Sequence, residues 1–563
     1  MKTFKQYIRS AAYAAATGAL AMGATSCDSM LDTKPCGVFS PDQIGNDEAL
    51  DLMVSAYATL PNHYFGNNES FAGPINNWVI DVRSDDALKG GDGISMENNI
   101  HQLEIGNIQN SNATLDFKWR NNMFSVARCN TAIRAIRDAG NLSEREAASY
   151  IAEMKTLRAY YNFDMYRLFQ KYPYITEDDD PSTVRADRYT REQMYDMILE
   201  DLKEAYTLLP ERQQQVGRFN KYVAAALVAK VAIFNSRWDD VETYSNYVIS
   251  SGAYQLYPNY GDISKPEMNN TYESIMAVQF SSANSPAQYN FNNCINCTYN
   301  FLDPDHTTTA YGNGDDFYLA SQDLVNAFRT DAQGLPYLDG TQNSEDINSA
   351  DYAGNVDPRL DFTLGRIGMP WRGYEYTEHW CRDLALYGQY SGKKPYPSPD
   401  SQYVEKGIVP WGASSLNYII IRYADVLLMK AESLIEQNKD LEQARNLINQ
   451  VRAKAARSID PSYTPVDLDP TKANYAVGQY PSSGWNQDYA RRAVRHERRV
   501  ELAMEGHRWF DLLRWGNIIE TMTKYYQFES AYQPYYSTAS LSQDELYFPV
   551  PLSQLDNGGD LYK

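Results

Sequence analysis

Histidine is scarce in this 563-residue chain, with six in all, and none forms the H-E-x-x-H pair of a helical zinc site. No G-x-S-x-G nucleophile elbow and no phosphate-binding P-loop occurs, so the common nucleophilic and nucleotide chemistries have no local signature. The glycine-rich run from Tyr311 to Asp315 contains no lysine and reads as a turn. Positive charge is also in deficit. Lys and Arg number 51 against 72 Asp and Glu, a formal net charge of −21. No block of five or more basic residues interleaves with aromatics, and an acidic field repels phosphate backbones. Nucleic acid is therefore excluded as a partner, and polyanionic glycans are disfavoured. Beyond the first 26 residues no apolar run reaches the roughly 20 residues of a membrane span. The longest, Val223 to Phe234, is interrupted by Lys230 and predicts a buried helix of a soluble domain.

Cysteine is sparse as well, six in total. Cys294 and Cys297 have C-x-x-C spacing, but without a second pair or a strand-to-helix context they suit a loop disulfide better than zinc or a redox centre. Cys129, within VARCNTAI, reads as a small buried hydrophobe. No cofactor and no metal site is expected. The acidic neighbours Asp85-Asp86, Asp239-Asp240 and Asp315-Asp316 could suggest glycoside hydrolysis, which needs two carboxylates at a set separation. In a chain with 72 acidic residues such neighbours arise without catalysis, and no enzymatic activity is expected.

What the chain does contain begins with a basic start, Lys2, Lys5 and Arg9, then an Ala-rich run ending in Ala24-Thr25-Ser26-Cys27. That arrangement predicts an export signal over residues 1–26 whose removal leaves Cys27 first and lipid-modified. Residues 27–563 then form one large domain. A helical part runs to about 255, a loop-rich variable part spans 256–420, a second helical part 421–528, and a closing tail 529–563. Ala225, Val228, Ala229, Ala232 and Ile233 follow helical spacing, and a second helix follows Trp238. The same pairing recurs where Ala424, Leu427, Leu428 and Ala431 precede Leu441, Ala444, Leu447, Ile448 and Val451. Two such units suggest tetratricopeptide-like helix pairs. The middle is rich in Gly, Pro, Asn, Asp and Tyr, and such a length implies short strands and small helices rather than pure coil.

The segment Arg495 to Gly516, RHERRVELAMEGHRWFDLLRWG, places Arg498, Glu501, Glu505 and Arg508 on one face if it is a continuous helix. Apolar residues on its other sides predict that this charge ladder is covered and hence internally paired. The run ER..EL..EG.RW.DL.RWG also resembles the C-terminal signature of the SusD/RagB family. Further segments occur in that family's order: Glu153 to Phe169, Gly217 to Phe234, Asn270 to Phe280, Ile419 to Glu432, Ala444 to Ala455, and the closing Glu545 to Leu555. Together they cover nearly the whole chain after the export signal. The resemblance implies a mainly α SusD-like fold with several tetratricopeptide-like pairs. It also implies a surface lipoprotein of the outer membrane, partnered with a SusC-like TonB-dependent transporter.

Binding residues diverge within that family, so the candidates here come from the chain itself. With 45 Tyr and 9 Trp, flat amphipathic rings are plentiful. The segment Gly73 to Gly91 sets Trp78 beside Asn76 and Asn77, followed by Asp81, Arg83, Asp85, Asp86 and Lys89. A sugar needs one apolar platform and several fixed polar groups, which Trp78 with Asn77, Asp81, Arg83 and Asp85 would supply. A second loop, Gly368 to Tyr376, offers Trp371, Arg372 and Tyr374. Trp411 and Trp485 are further loop tryptophans, whereas Trp119, Trp238, Trp509 and Trp515 follow helical patterns and predict core positions. The expectation is capture of a neutral oligosaccharide. Peptide capture and a ligand-free assembly scaffold are the alternatives.

Overall fold

A computed structural model describes residues 46–61, 77–281, 314–405, 413–463 and 466–562. The export signal with Cys27, and also Cys36, Asn76, Cys294, Cys297 and Trp411, lie outside those residues.

The first half is an array of helices in which each packs on the next: α1 (Asn46–Tyr57), α2 (Ala113–Asp138), α3 (Glu144–Leu168), α4 (Arg191–Leu208), α5 (Lys221–Phe234) and α6 (Trp238–Ser250). Their starts are written locally. Ser143 and Glu146 close a capping box on α3, Thr190 and Gln193 another on α4, and the Asn220 side chain accepts from the Tyr222 and Val223 amides at the head of α5. Helix α5 is buried on nearly every side, as its apolar sequence predicts, and Lys230 leaves it to meet Asp425 at 2.8 Å. Among the described residues no helix is long and apolar enough to cross a membrane.

The array continues across the irregular middle, because α6 packs on α7 (Tyr423–Glu436), which pairs with α8 (Leu441–Arg457). The α5–α6 and α7–α8 pairs stand where the periodicity places them. Helix α9 (Gln487–Glu501) packs on both α7 and α8, and α10 (Arg508–Trp515) and α11 (Ile518–Glu529) follow. The middle holds short helical turns and small sheets. The longest strands are β1 (Ala87–Gly90), antiparallel to β3 (Phe317–Ala320), and β2 (Ser274–Val278), antiparallel to β4 (Tyr418–Arg422). The fold is helix-dominated with irregular regions, as expected.

One expectation needs correction. The segment Arg495 to Gly516 is not a single helix: it breaks between Glu501 and Arg508, where Met504 and Gly506 take φ of +61° and +78°. A Cβ on Gly506 would meet that of Asn77 at 2.7 Å, so close approach as well as backbone sign requires glycine there. The four ladder residues therefore do not pair with one another. They do end up buried and matched, but with partners elsewhere. Glu501 accepts from Lys454 (2.6 Å), Arg422 (2.7 Å) and Arg359 (3.0 Å), and Glu505 from Arg422 and Lys394 (both 2.8 Å). Arg498 binds Asp425 and Asp511 (both 2.8 Å), and Arg508 binds Asp85 (2.8 Å). Glu273 joins the same centre through Arg422 (2.9 Å) and Lys454 (2.7 Å). Helices α8 and α9, strand β4 and the middle segment thus share one buried ion network.

Candidate binding site

The tryptophans of both loops lie inside the protein, not on a surface. Trp78 is 3% exposed and stacks on Phe317, with ring centroids 5.9 Å apart, and also touches Tyr318. Asp81 accepts from the Tyr318 hydroxyl at 2.7 Å, and burial, then the nearby Asp86, push its carboxyl up to about 7. Arg83 lays its guanidinium 3.8 Å above the Trp509 ring and donates to the Glu545 carbonyl at 2.6 Å, and burial lowers it to about 9. Asp85 accepts a two-pronged bond from Arg508 at 2.8 Å. Burial works against its charge, yet Arg499 and Arg508 hold its carboxyl well below the usual range. Asn77 accepts from the Lys118 ammonium at 3.2 Å. Sequence reasoning misplaced this loop because the arginines that claim its carboxylates sit more than 400 positions away.

The second loop is buried by aromatic packing. Trp371 stacks on Tyr376 and Tyr396 with centroids 5.5 and 6.4 Å apart, and Trp380 meets it edge-on. Arg372 binds Asp467 at 2.6 Å and donates to the carbonyls of Tyr396 and Lys393. Of the three, only Tyr374 is half-buried instead of buried, and its hydroxyl donates to Asp400 at 2.9 Å. The expectation that Trp78 or Trp371 offers an open platform is thereby corrected: their faces are occupied by other rings. Cys129 is buried as expected, and burial pushes its thiol up to about 12. Trp119 and Trp509 are core, whereas Trp238 and Trp515 are half-buried.

A small surface cleft opens between β4 and the α9–α10 break, lined by Lys394, Asn417, Tyr418, Ile419, Met504 and Glu505 among others. Tyr418 and Glu505 also line a second, smaller cavity together with Asn77, Arg167, Lys230 and His507. Asn77 thus brings the start of the first loop to this cavity. Beside the cleft the Phe280 amide donates to the Asn417 side chain at 2.8 Å.

The charged groups of this cleft are matched in advance. Lys394 donates to Glu505 (2.8 Å) and to the Ala503 carbonyl (2.7 Å), and burial lowers it to about 8. Burial would raise Glu505, but Arg422 and Lys394 outweigh it and hold the carboxyl at about 2. In the inner cavity, burial and Lys230 depress His507 to about 3, so its ring is neutral at physiological pH. The Asn417 side chain is also engaged, accepting from the Phe280 N–H and donating to Gln279 (3.0 Å), so what is left to meet a ligand is the half-buried Tyr418 and Ile419. The arrangement suits apolar and hydrogen-bonded contact with an uncharged molecule. Sequence reading placed Glu505 in a helical ladder and Tyr418 at the edge of an irregular zone. Nothing in the local pattern joins them. Among the described residues no group of His, Cys, Asp and Glu could hold a metal ion.

Comparison with known proteins gives one consistent answer. The model of a family described as the SusD family matches residues 272–563, and that of another, described as "Starch-binding associating with outer membrane", matches residues 79–233. SusD-like protein P2 of Formosa agariphila is 26% identical over 497 residues, spanning 86% of this chain and 87% of its own. A SusD-like protein of Bacteroides ovatus is 26% identical over 573 residues, spanning 96% and 88%. Among solved structures, a SusD superfamily protein from Bacteroides vulgatus aligns with a TM-score of 0.69 at 19% identity, covering 92% of this chain and 98% of that one. Surface glycan-binding protein A from Bacteroides thetaiotaomicron, solved in complex with laminarihexaose, aligns at 0.66 and 19%, covering 92% and 99%.

Proposed function

The chain belongs to the SusD/RagB family, and from that premise we propose that it is a non-catalytic glycan-binding lipoprotein of the outer-membrane surface. It captures neutral oligosaccharide outside the cell and passes it to a SusC-like TonB-dependent transporter, held to the membrane by lipid on Cys27. The observation that carries the ligand class is the neutralised Tyr418 cleft. Its two charged lining residues, Lys394 and Glu505, already bind each other, so a ligand meets the Tyr418 ring and aliphatic surface. A free charge there would select an ionic ligand, whereas an uncharged ring suits the C–H face of a sugar. The glycan-bound relative of the same fold points the same way. Tyr374, half-buried at the rim of its loop, remains a further contact on this reading.

Calorimetric titration tests it, using a panel of neutral α- and β-linked glucans, xylans, mannans and galactans against wild type and Tyr418→Ala. Wild type binds at least one class, and Tyr418→Ala weakens that binding by about 30-fold, the effect of losing an aromatic anchor. Binding of peptides alone would replace the glycan reading. Binding of neither would leave an assembly scaffold.

A further inference from the structure

A larger opening lies away from the Tyr418 cleft. It has a volume of about 380 Å³ and lies between the end of β3, the turn at Leu384–Tyr390 and the residues just after α11. No residue that lines it carries a charge, in a chain where 123 side chains are acidic or basic. Its walls combine Tyr387, Tyr390 and Tyr532 with Gln322, Gln389 and Gln533. Much of this wall is pre-set. The Tyr390 hydroxyl donates to the Gln322 amide oxygen (3.0 Å), and the Gln389 amide oxygen accepts from the Ile367 N–H (3.2 Å). Gln533 is the exception: it is 4% exposed, yet its Oε1 has no hydrogen-bond partner, and the buried Tyr387 hydroxyl has none either. Buried polar groups are nearly always satisfied, but both of these atoms are sealed beneath the wall, so the Gln533 side chain must turn before its oxygen meets a ligand. Gly388 stands opposite with φ +76°, and a Cβ there would come within 3.8 Å of the Gln533 amide nitrogen. Its missing side chain keeps the approach to that amide clear.

We propose that this opening is a second saccharide-binding cleft, taking a neutral sugar unit. Hydroxyls donate and accept at once, which matches amides that present both groups, and the half-buried Tyr532 ring offers an apolar face. An ion would leave its charge uncompensated in such a wall. The ligand class rests on the glycan reading above, while the position does not.

The test is calorimetry of the full chain without its export signal, using the same neutral panel against wild type, Gln533→Leu, Tyr532→Ala and Tyr418→Ala, each checked for folding by circular dichroism and thermal melting. Wild type shows two classes of site. Gln533→Leu weakens one by about tenfold, the scale of a lost buried hydrogen bond. Tyr532→Ala weakens the same class, and serves alone if the Gln533 variant fails to fold. Tyr418→Ala removes the other class. Affinity of the Gln533-dependent class changes less than about twofold between low and high salt, because no charged group lines it. A single class that Tyr418→Ala abolishes and both cleft variants leave unmoved overturns this inference alone. Wild type that binds no saccharide overturns it together with the proposed function.

Discussion

The buried ion network around Glu501 and the uncharged tyrosine–glutamine cleft treat charge in opposite ways. In the network, Arg359, Arg422 and Lys454 converge on one carboxylate that is fully buried, and each cation also has a second acidic partner. In the cleft no lining residue is charged at all. The Tyr418 cleft lies between the two, with its charges present but already consumed by each other. The lesson is a division of labour. Charge in this protein fastens remote segments together, and the surfaces suited to recognition are kept electrically quiet.

The sharpest way to break that comparison is Glu501→Ala. Three buried cations lose a shared partner, and the fold should lose about 3–5 kcal/mol, read by chemical denaturation. Saccharide affinity of the folded fraction should not change. A stable variant with lost binding would move the network into the site.

A smaller effect separates Asp81 from its neighbour Asp85. Asp85 is doubly paired with arginine, whereas Asp81, beside the like charge of Asp86, is pushed up to about 7. Its folded value exceeds the unfolded one near 4, so proton binding favours the native state. That contribution is complete below about pH 4 and is lost as pH rises through 7. Asp81→Asn should therefore match wild type near pH 4 and exceed it by up to about 4 kcal/mol at pH 8. Equal stability at pH 8 would show that Asp81 is ionised without penalty, as Asp85 is.

The smallest expected change is Tyr374→Phe, which removes a surface hydrogen bond to Asp400. Stability should shift by less than about 0.5 kcal/mol in thermal melts. A fall in saccharide affinity with stability intact would extend the recognition surface to the Trp371 loop. No fall would confine it to the clefts.

Legibility from sequence followed the range of the forces involved. The α5–α6 and α7–α8 pairs were readable because apolar spacing acts within a few residues. The ladder's burial was readable from its apolar flanks, but the break at Met504 and Gly506 was not, since the helical period continues across it while the backbone turns. The tryptophan loops misled for a related reason. A tryptophan among Asn, Asp and Gly reads as exposed until the rings that cover it, Phe317 for Trp78 and Tyr376 and Tyr396 for Trp371, are known. The clefts draw on β3, β4, the residues near 390 and the turn after α11, which only the fold brings together.

The pairing of Asp85 and Asp86 with Arg499 and Arg508 also has a consequence in time. Asp86 and Arg499 are 413 residues apart, and Asp85 and Arg508 are 423 apart. A chain that emerges in order from its N-terminal side exposes Trp78 and these aspartates long before their arginines arrive. Until then the carboxylates stay hydrated and hold the segment open, because burying them alone would strand two negative charges. Consolidation of the Trp78 segment therefore waits for the last third of the chain, with a large loop to close beforehand. The interior of this protein is completed by its own C-terminal helices, much as a clasp shuts only when its second half is in place.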